Sequence, residues 1–118
     1  MNFIKKKKSK FSILIKKKEK TGDKGNILIN NKNEIISFVE KKKTKNKISF
    51  FNAGVYVVNK KFFLKYFSKI KYLSLEYNLI PELIKTSKVF GFQGTGRFID
   101  IGTPKNYFLF KKIIKWKK

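Results

Sequence analysis

Apolar residues in this chain fall into short runs separated by stretches rich in Lys, Asn and Gly. Phe11-Ser12-Ile13-Leu14-Ile15 is almost wholly apolar, the pattern of a strand covered on both faces, so an interior position in a sheet is expected. Residues 16–25 are polar with two glycines and read as a loop. Asn26-Ile27-Leu28-Ile29 and Glu34 to Glu40 read as two strands. The Asn30-Asn31-Lys32-Asn33 turn between them makes a hairpin, because Asn tolerates the left-handed conformation. Residues 41–47 form a charged loop, and a long strand from Ile48 to Val58 follows. Gly54 inside that strand points to close backbone approach by a ligand or a neighbour.

Helical spacing begins at Lys60 and ends near Phe67, with Phe63 and Phe67 on one face. Ser74 caps a second helix reaching about Lys85, which Pro81 either kinks or restarts. Val89 to Gln93 is a strand, Gly94-Thr95-Gly96 a turn between strands, and the last helix ends near Ile114. The pattern is mixed α/β with one hairpin, flanking helices and a single small domain over residues 1–118. Residues 3–10 are a short basic lead-in, and the basic tail from Lys115 is expected to be loose.

The corner before the last helix carries the most information. Phe98, Ile99 and Ile101 form an apolar run expected to be a buried strand, with Asp100 its only charge. Gly102 breaks the run, Thr103 stands where an N-cap belongs, and Pro104 stands at the first helical position. Tyr107, Phe108, Lys111 and Ile114 follow at helical spacing. Asp100 therefore sits beside a strand-to-helix corner, where open α/β sheets bind ligands. The local alternative is that its carboxylate caps its own turn.

Composition removes several chemistries. The chain has no Cys and no His, which excludes disulfides, thiolates, imidazole bases and the usual zinc sites. No apolar run is long enough to cross a membrane, and the N-terminal residues lack the pattern of a signal peptide, so a cytoplasmic protein is expected. The net charge is +23, carried by 30 basic residues that are all Lys except Arg97. Phosphate- and base-reading proteins favour Arg, so this excess fits a bias towards Lys, Asn, Ile and Phe better than a selected polyanion surface. Salt-sensitive sticking to nucleic acids follows from it; specific nucleic-acid recognition does not.

The seven acids narrow the catalytic candidates. Glu19, Asp23 and Glu34 fall in or beside loops. Glu76 and Glu82 lie on a helix, where Glu76 suits the helix dipole. Glu40 and Asp100 remain, both at strand ends, and any metal or acid–base role rests on one of them.

Three segments in order resemble a known family. Phe98-Ile99-Asp100-Ile101-Gly102-Thr103-Pro104 with Tyr107 is similar to the late D-I-G-T-P motif of the sugar-1-phosphate nucleotidyltransferases. Phe38-Val39-Glu40-Lys41 resembles their F-x-E-K segment, and Asn52-Ala53-Gly54-Val55-Tyr56 their N-A-G-I-Y segment. Ser74-Leu75-Glu76 with Pro81 and Leu83 is similar to a helix of the mannose and heptose 1-phosphate branch. The resemblance runs from about Phe11 to Ile114. It implies a Rossmann-like nucleotidyltransferase domain that joins a sugar 1-phosphate to a nucleoside triphosphate. By the same resemblance Asp100 would hold Mg2+, Lys41 the phosphate, and Glu40 and Asn52 the sugar, with the backbone of Gly25 and Gly54 close to it.

The chain also departs from the family. Lys42 replaces the Pro after E-K, Arg97 replaces an aromatic residue, and Lys105-Asn106 replace an acidic pair. The Gly-rich nucleotide loop and a second metal-binding Asp are not present in these residues. The resemblance is therefore to the C-terminal half, which implies a separate N-terminal half as partner. It also leads us to expect the Phe11–Ile15 strand and nearby apolar faces to be uncovered, with self-association or a homo-oligomer as the result. Two other readings stay open on sequence alone: a small Lys-rich RNA- or polyanion-binding protein, and a gene remnant without function.

Overall fold

The computed structural model describes residues 9–17, 26–39, 49–68, 74–86 and 88–114. Gly25, Glu40 and Lys41, the two charged loops and the basic ends lie outside the described residues. Among the described residues are five strands: β1 (Phe11–Lys17), β2 (Asn26–Ile29), β3 (Ile35–Val39), β4 (Phe50–Val58) and β5 (Val89–Gln93). Helix α1 spans Lys60–Phe67. A π-helical turn, Leu75–Leu79, runs directly into α2 (Ile80–Thr86), and α3 spans Pro104–Ile113.

The strands form one mixed sheet in the order β3-β2-β4-β1-β5. β1 runs antiparallel to β4, from Phe11 opposite Val58 to Lys17 opposite Phe50. On its other edge β1 runs parallel to β5, from Phe11 opposite Val89 to Ile15 opposite Gln93. A strand paired on both edges suits a nearly continuous apolar run, and Phe11, Ile13 and Ile15 are at most 1% exposed. This corrects the expectation that the Phe11–Ile15 strand is left uncovered. β1 and β5 share the only parallel pairing among the described strands, and it returns through the helical segment, as parallel pairing requires.

Local signals explain the helices. Asn59 caps α1, its side-chain oxygen accepting from the Phe62 N–H at 3.1 Å. The buried anchor of α1 is Phe62, which packs against Tyr66 at 4.6 Å between ring centroids. Phe63 and Phe67 do share a face, stacked at 4.0 Å, yet Phe63 remains exposed. Ser74 caps the π turn by accepting from Tyr77 N–H at 3.2 Å. Pro81 then falls in the first turn of α2, where a missing N–H costs nothing, so the segment restarts rather than kinks. Leu79, Ile80 and Leu83 are buried and cover the sheet.

The expected strand at 98–101 is not formed. β5 ends at Gln93, no strand follows it among the described residues, and Gly94-Thr95-Gly96 leads to irregular backbone instead of a second strand. No ladder pairs the run with another strand among the described residues. Phe98 instead packs on Phe51 at 5.3 Å, Ile101 is half exposed, and Asp100 is exposed.

The sheet curls until its two edges touch. Asn33 adopts a left-handed φ of 62° in the hairpin turn. The Asn33 carbonyl accepts from Gly91 N–H of β5 at 2.9 Å, and Glu34 bridges Phe90. Asn30 Nδ2 and Lys88 Nζ hold the two oxygens of Glu34 at 2.9 and 3.1 Å. The otherwise open edge of β5 is thus partly paired, which guards it against strand addition.

Leu83→Ala should lower stability by about 2–5 kcal/mol, the range for emptying a fully buried leucine site, measured by urea denaturation. The hydrogen bond from Asn30, and then the one from Lys88, hold Glu34 below the ordinary carboxylate value. A lowered folded pKa stabilises above the unfolded pKa and is lost as pH falls through the folded value. Thermal melts of wild type and Glu34→Gln should therefore differ at neutral pH in favour of wild type and converge in acid. A difference that persists fully below the Glu34 titration would contradict this role.

Candidate functional site

Asp100 stands at an irregular corner held by local bonds. Its Oδ1 accepts from Gly102 N–H at 2.9 Å, closing a turn of the kind Asp side chains favour. A Cβ on Gly102 would lie 3.1 Å from that oxygen, so a larger residue there would push the Asp100 carboxylate aside by a few tenths of an ångström. Thr103 then caps α3, with extended backbone and its hydroxyl oxygen accepting from Asn106 N–H at 3.3 Å, and Pro104 begins the helix. The local reading of Asp100 as a turn cap is realised. The same geometry leaves the carboxylate on the surface with its second oxygen outward from the Gly102 contact, a hard donor suited to an oxygen-seeking cation. Among the described residues no group of three or more acidic side chains converges there.

Asn52 belongs to a second cluster, created by an irregularity in β4. Ile13 pairs with Tyr56 and Ile15 with Asn52, so Leu14 alone faces Ala53, Gly54 and Val55. The extra residues bulge outward, with Gly54 at φ 74°. Nothing lies within 4 Å of where a Gly54 Cβ would stand, so the glycine serves the left-handed backbone and not close approach by another part of the protein.

The bulge changes which side chains meet. In a regular strand residues four apart are separated by about 13 Å. Here Asn52 Nδ2 donates to Tyr56 Oη at 2.6 Å and to Glu76 Oε1 at 3.0 Å. Tyr56 Oη donates to the same Glu76 oxygen at 3.1 Å, and Asn52 Oδ1 accepts from Gly54 N–H at 2.9 Å. Asn52, Tyr56 and Glu76 are all half-buried. The cluster ties β4 to the π turn and commits both amide hydrogens of Asn52 within the protein. What Asn52 retains for a ligand is acceptor capacity on Oδ1, while Glu76 contributes a second carboxylate oxygen.

Glu76 is the residue that sequence reasoning assigned only to a helix dipole. No pattern in the chain announces its meeting with Asn52, because that contact depends on the bulge and on long-range packing. Gly25, Glu40 and Lys41 fall outside the described residues, so of the expected site only Asn52, Gly54 and Asp100 are placed, on two separate elements.

Comparison with known proteins gives a consistent result. The family model described as Nucleotidyl transferase matches residues 1–115. The crystal structure of HddC from Yersinia pseudotuberculosis is similar, with a TM-score of 0.72 and 26% sequence identity over 92% of this chain and 46% of that one. The chain thus spans about half the length of that solved relative. No curated protein sequence matches it.

Gly54→Ala should cost about 1–2 kcal/mol, because an L side chain is forced into the left-handed region. The loss should appear as a lower thermal midpoint, and amide spectra should show changes at Asn52, Tyr56 and Glu76. A variant as stable as wild type with those signals unmoved would mean that the bulge does not set the cluster.

Proposed function

This chain belongs to the nucleotidyl transferase family, and we propose that it supplies the sugar-phosphate side of an enzyme that makes a nucleotide sugar. The observation that carries this reading is the family match across nearly the whole chain, together with an exposed Asp100 carboxylate fixed at the start of α3. In the proposed reaction a sugar 1-phosphate oxygen attacks the α-phosphorus of a nucleoside triphosphate. A new P–O bond forms, the α–β bridge breaks, and diphosphate leaves with its electron pair. No proton needs to be removed from the attacking phosphate, so the lack of His is no obstacle. Rate enhancement in such a transfer comes from positioning and charge neutralisation.

Asp100 would be one ligand of Mg2+, whose other oxygens would come from substrate phosphates and from residues outside this chain. When bound, that ion would neutralise charge on the phosphates. Lys41 would hold the sugar phosphate, and Glu40, the backbone of Gly25 and Gly54, and the Asn52–Glu76 cluster would hold sugar hydroxyls. The Ser74–Leu83 segment favours a mannose- or heptose-type sugar with GTP. Nucleotide-binding elements would come from a partner segment corresponding to the N-terminal half. A membrane or a specific nucleic acid has no place in this reading. No helix among the described residues is long and apolar enough to cross a membrane.

Residues 1–118 alone should show no turnover, and triphosphate should bind them only weakly, with the binding lost as salt rises. Adding the N-terminal half of a related nucleotidyltransferase should restore diphosphate release, followed by a coupled phosphate assay. Asp100→Asn should reduce the restored rate on the order of 100-fold or more, the scale of losing metal charge stabilisation. Magnesium-dependent nucleotide-sugar synthesis by residues 1–118 alone would overturn the half-enzyme reading.

A further inference from the structure

The parallel pair β1/β5 ends in an open cleft of about 700 Å³. It is lined by Lys16 and Lys17 from β1, Phe51 from β4, and Thr95, Gly96, Arg97 and Phe98 from the segment after β5. Among the described residues that line it there is no carboxylate, and three of those seven are cationic. Ligand sites in open α/β sheets lie beyond the carboxyl ends of parallel strands, and this is where the described strands offer one.

The cleft is preorganised by Lys16. Its ammonium donates to the carbonyls of Gly94, at 2.6 Å, and Gly96, so one cation ties the segment after β5 to the end of β1. Lys16 is thereby occupied in holding the wall. Lys17 and Arg97 are exposed at the cleft and are the cations left to meet a ligand. Arg97 is the single Arg among 30 basic residues, in a chain that otherwise uses Lys for every positive charge. A planar guanidinium grips phosphate through two parallel hydrogen bonds, which an ammonium does not. Phe51 and Phe98, 5.3 Å apart, form an apolar wall beside it. The volume exceeds that of a phosphate group alone and leaves room for a ring against this wall.

We propose that this cleft binds a sugar phosphate ester, with Lys17 and Arg97 holding the phosphoryl group and Phe51 and Phe98 facing the sugar ring. The proposal rests on the nucleotidyltransferase reading, and it assigns the phosphoryl group to Lys17 and Arg97 where the family motifs would assign it to Lys41, and the ring to Phe51 and Phe98 where they would assign it to Asn52. It also gives Arg97 a function in place of the aromatic residue it replaces, three positions before Asp100.

The test is isothermal titration of the full chain at physiological salt with mannose 1-phosphate, mannose and inorganic diphosphate. Mannose 1-phosphate should bind, and mannose should not. Arg97→Gln should weaken mannose 1-phosphate about tenfold or more, the scale of a lost charge-assisted bond. Lys17→Gln should weaken it several-fold, whereas Lys85→Gln, an equal charge loss on α2, should change it little. Two-dimensional amide spectra of each variant check that the fold is kept. Binding of mannose 1-phosphate that ignores Arg97 and Lys17 but is lost in Asn52→Ala would overturn the cleft and leave the functional reading standing. Binding of diphosphate through Arg97 and Lys17, with mannose 1-phosphate and mannose inert, would keep an anion cleft but overturn its sugar phosphate occupant. No ligand binding by wild type would overturn the cleft, and the restored-activity assay would still judge the family reading separately. Equal weakening by Lys85→Gln and Arg97→Gln would reduce the effect to net charge and end the proposal.

Discussion

Both candidate sites depend on how β1 is hydrogen-bonded along its two edges. On the β5 side the pairing is parallel and regular, so the two strands end together and open a cleft at their shared carboxyl end. On the β4 side the pairing must absorb extra residues opposite Leu14, and it does so by bending Gly54 into the left-handed region. The regular edge makes a cleft, and the irregular edge makes a polar cluster. A buried apolar strand cannot slip by one residue without turning its core side chains outward, so the register on both sides is held firmly. The geometry of Asn52, Tyr56 and Glu76 is therefore anchored by hydrophobic burial several residues away.

The elements most legible in the sequence were those whose cause is local. β2 and β5 match their expected spans, α1 does too, and the Thr103–Pro104 cap opens α3 as its side chains require. Asn33 takes the left-handed conformation that an Asn-rich turn suggested. The misplaced features have causes that are not local. The apolar run at 98–101 has strand composition but no neighbouring strand among the described residues, and a ladder cannot form from one side alone. Gly54 points to close approach by a ligand or a neighbour; within the protein its need is conformational. Asn52 and Tyr56 look too far apart in any regular strand to touch, so their contact, and through it the importance of Glu76, could not be seen from spacing.

Charge needs the same separation of local from global. A net charge of +23 describes the whole surface and predicts attraction to any polyanion. Specific recognition needs cations placed against a shaped wall, and only a few of these residues meet that condition. Lys16 spends its charge on two carbonyls, while Glu34 is gripped by Asn30 and Lys88 at the sheet edge. Arg97 differs from the surrounding lysines in position and in chemistry: it stands in a cleft whose described lining has no carboxylate, next to the tilted pair Phe51 and Phe98.

The fold and the proposed active site have different boundaries. The sheet buries its own centre, with Ile13, Ile15, Ile80 and Leu83 fully enclosed, and the Asn33–Gly91 bond draws its edges together. The surface tells another story. No residue of α3 is buried, and Tyr107 and Phe108 stand 46% and 60% exposed next to the Asp100 corner. Val55 and Val57 of β4 are likewise exposed. Exposed apolar area of that kind is costly in water. On α3 this exposed apolar area follows the Asp100 corner directly in sequence. Under the proposed half-enzyme reading, a second part would cover α3 and complete the ligands around Asp100, while this hydrophobic centre keeps the fold.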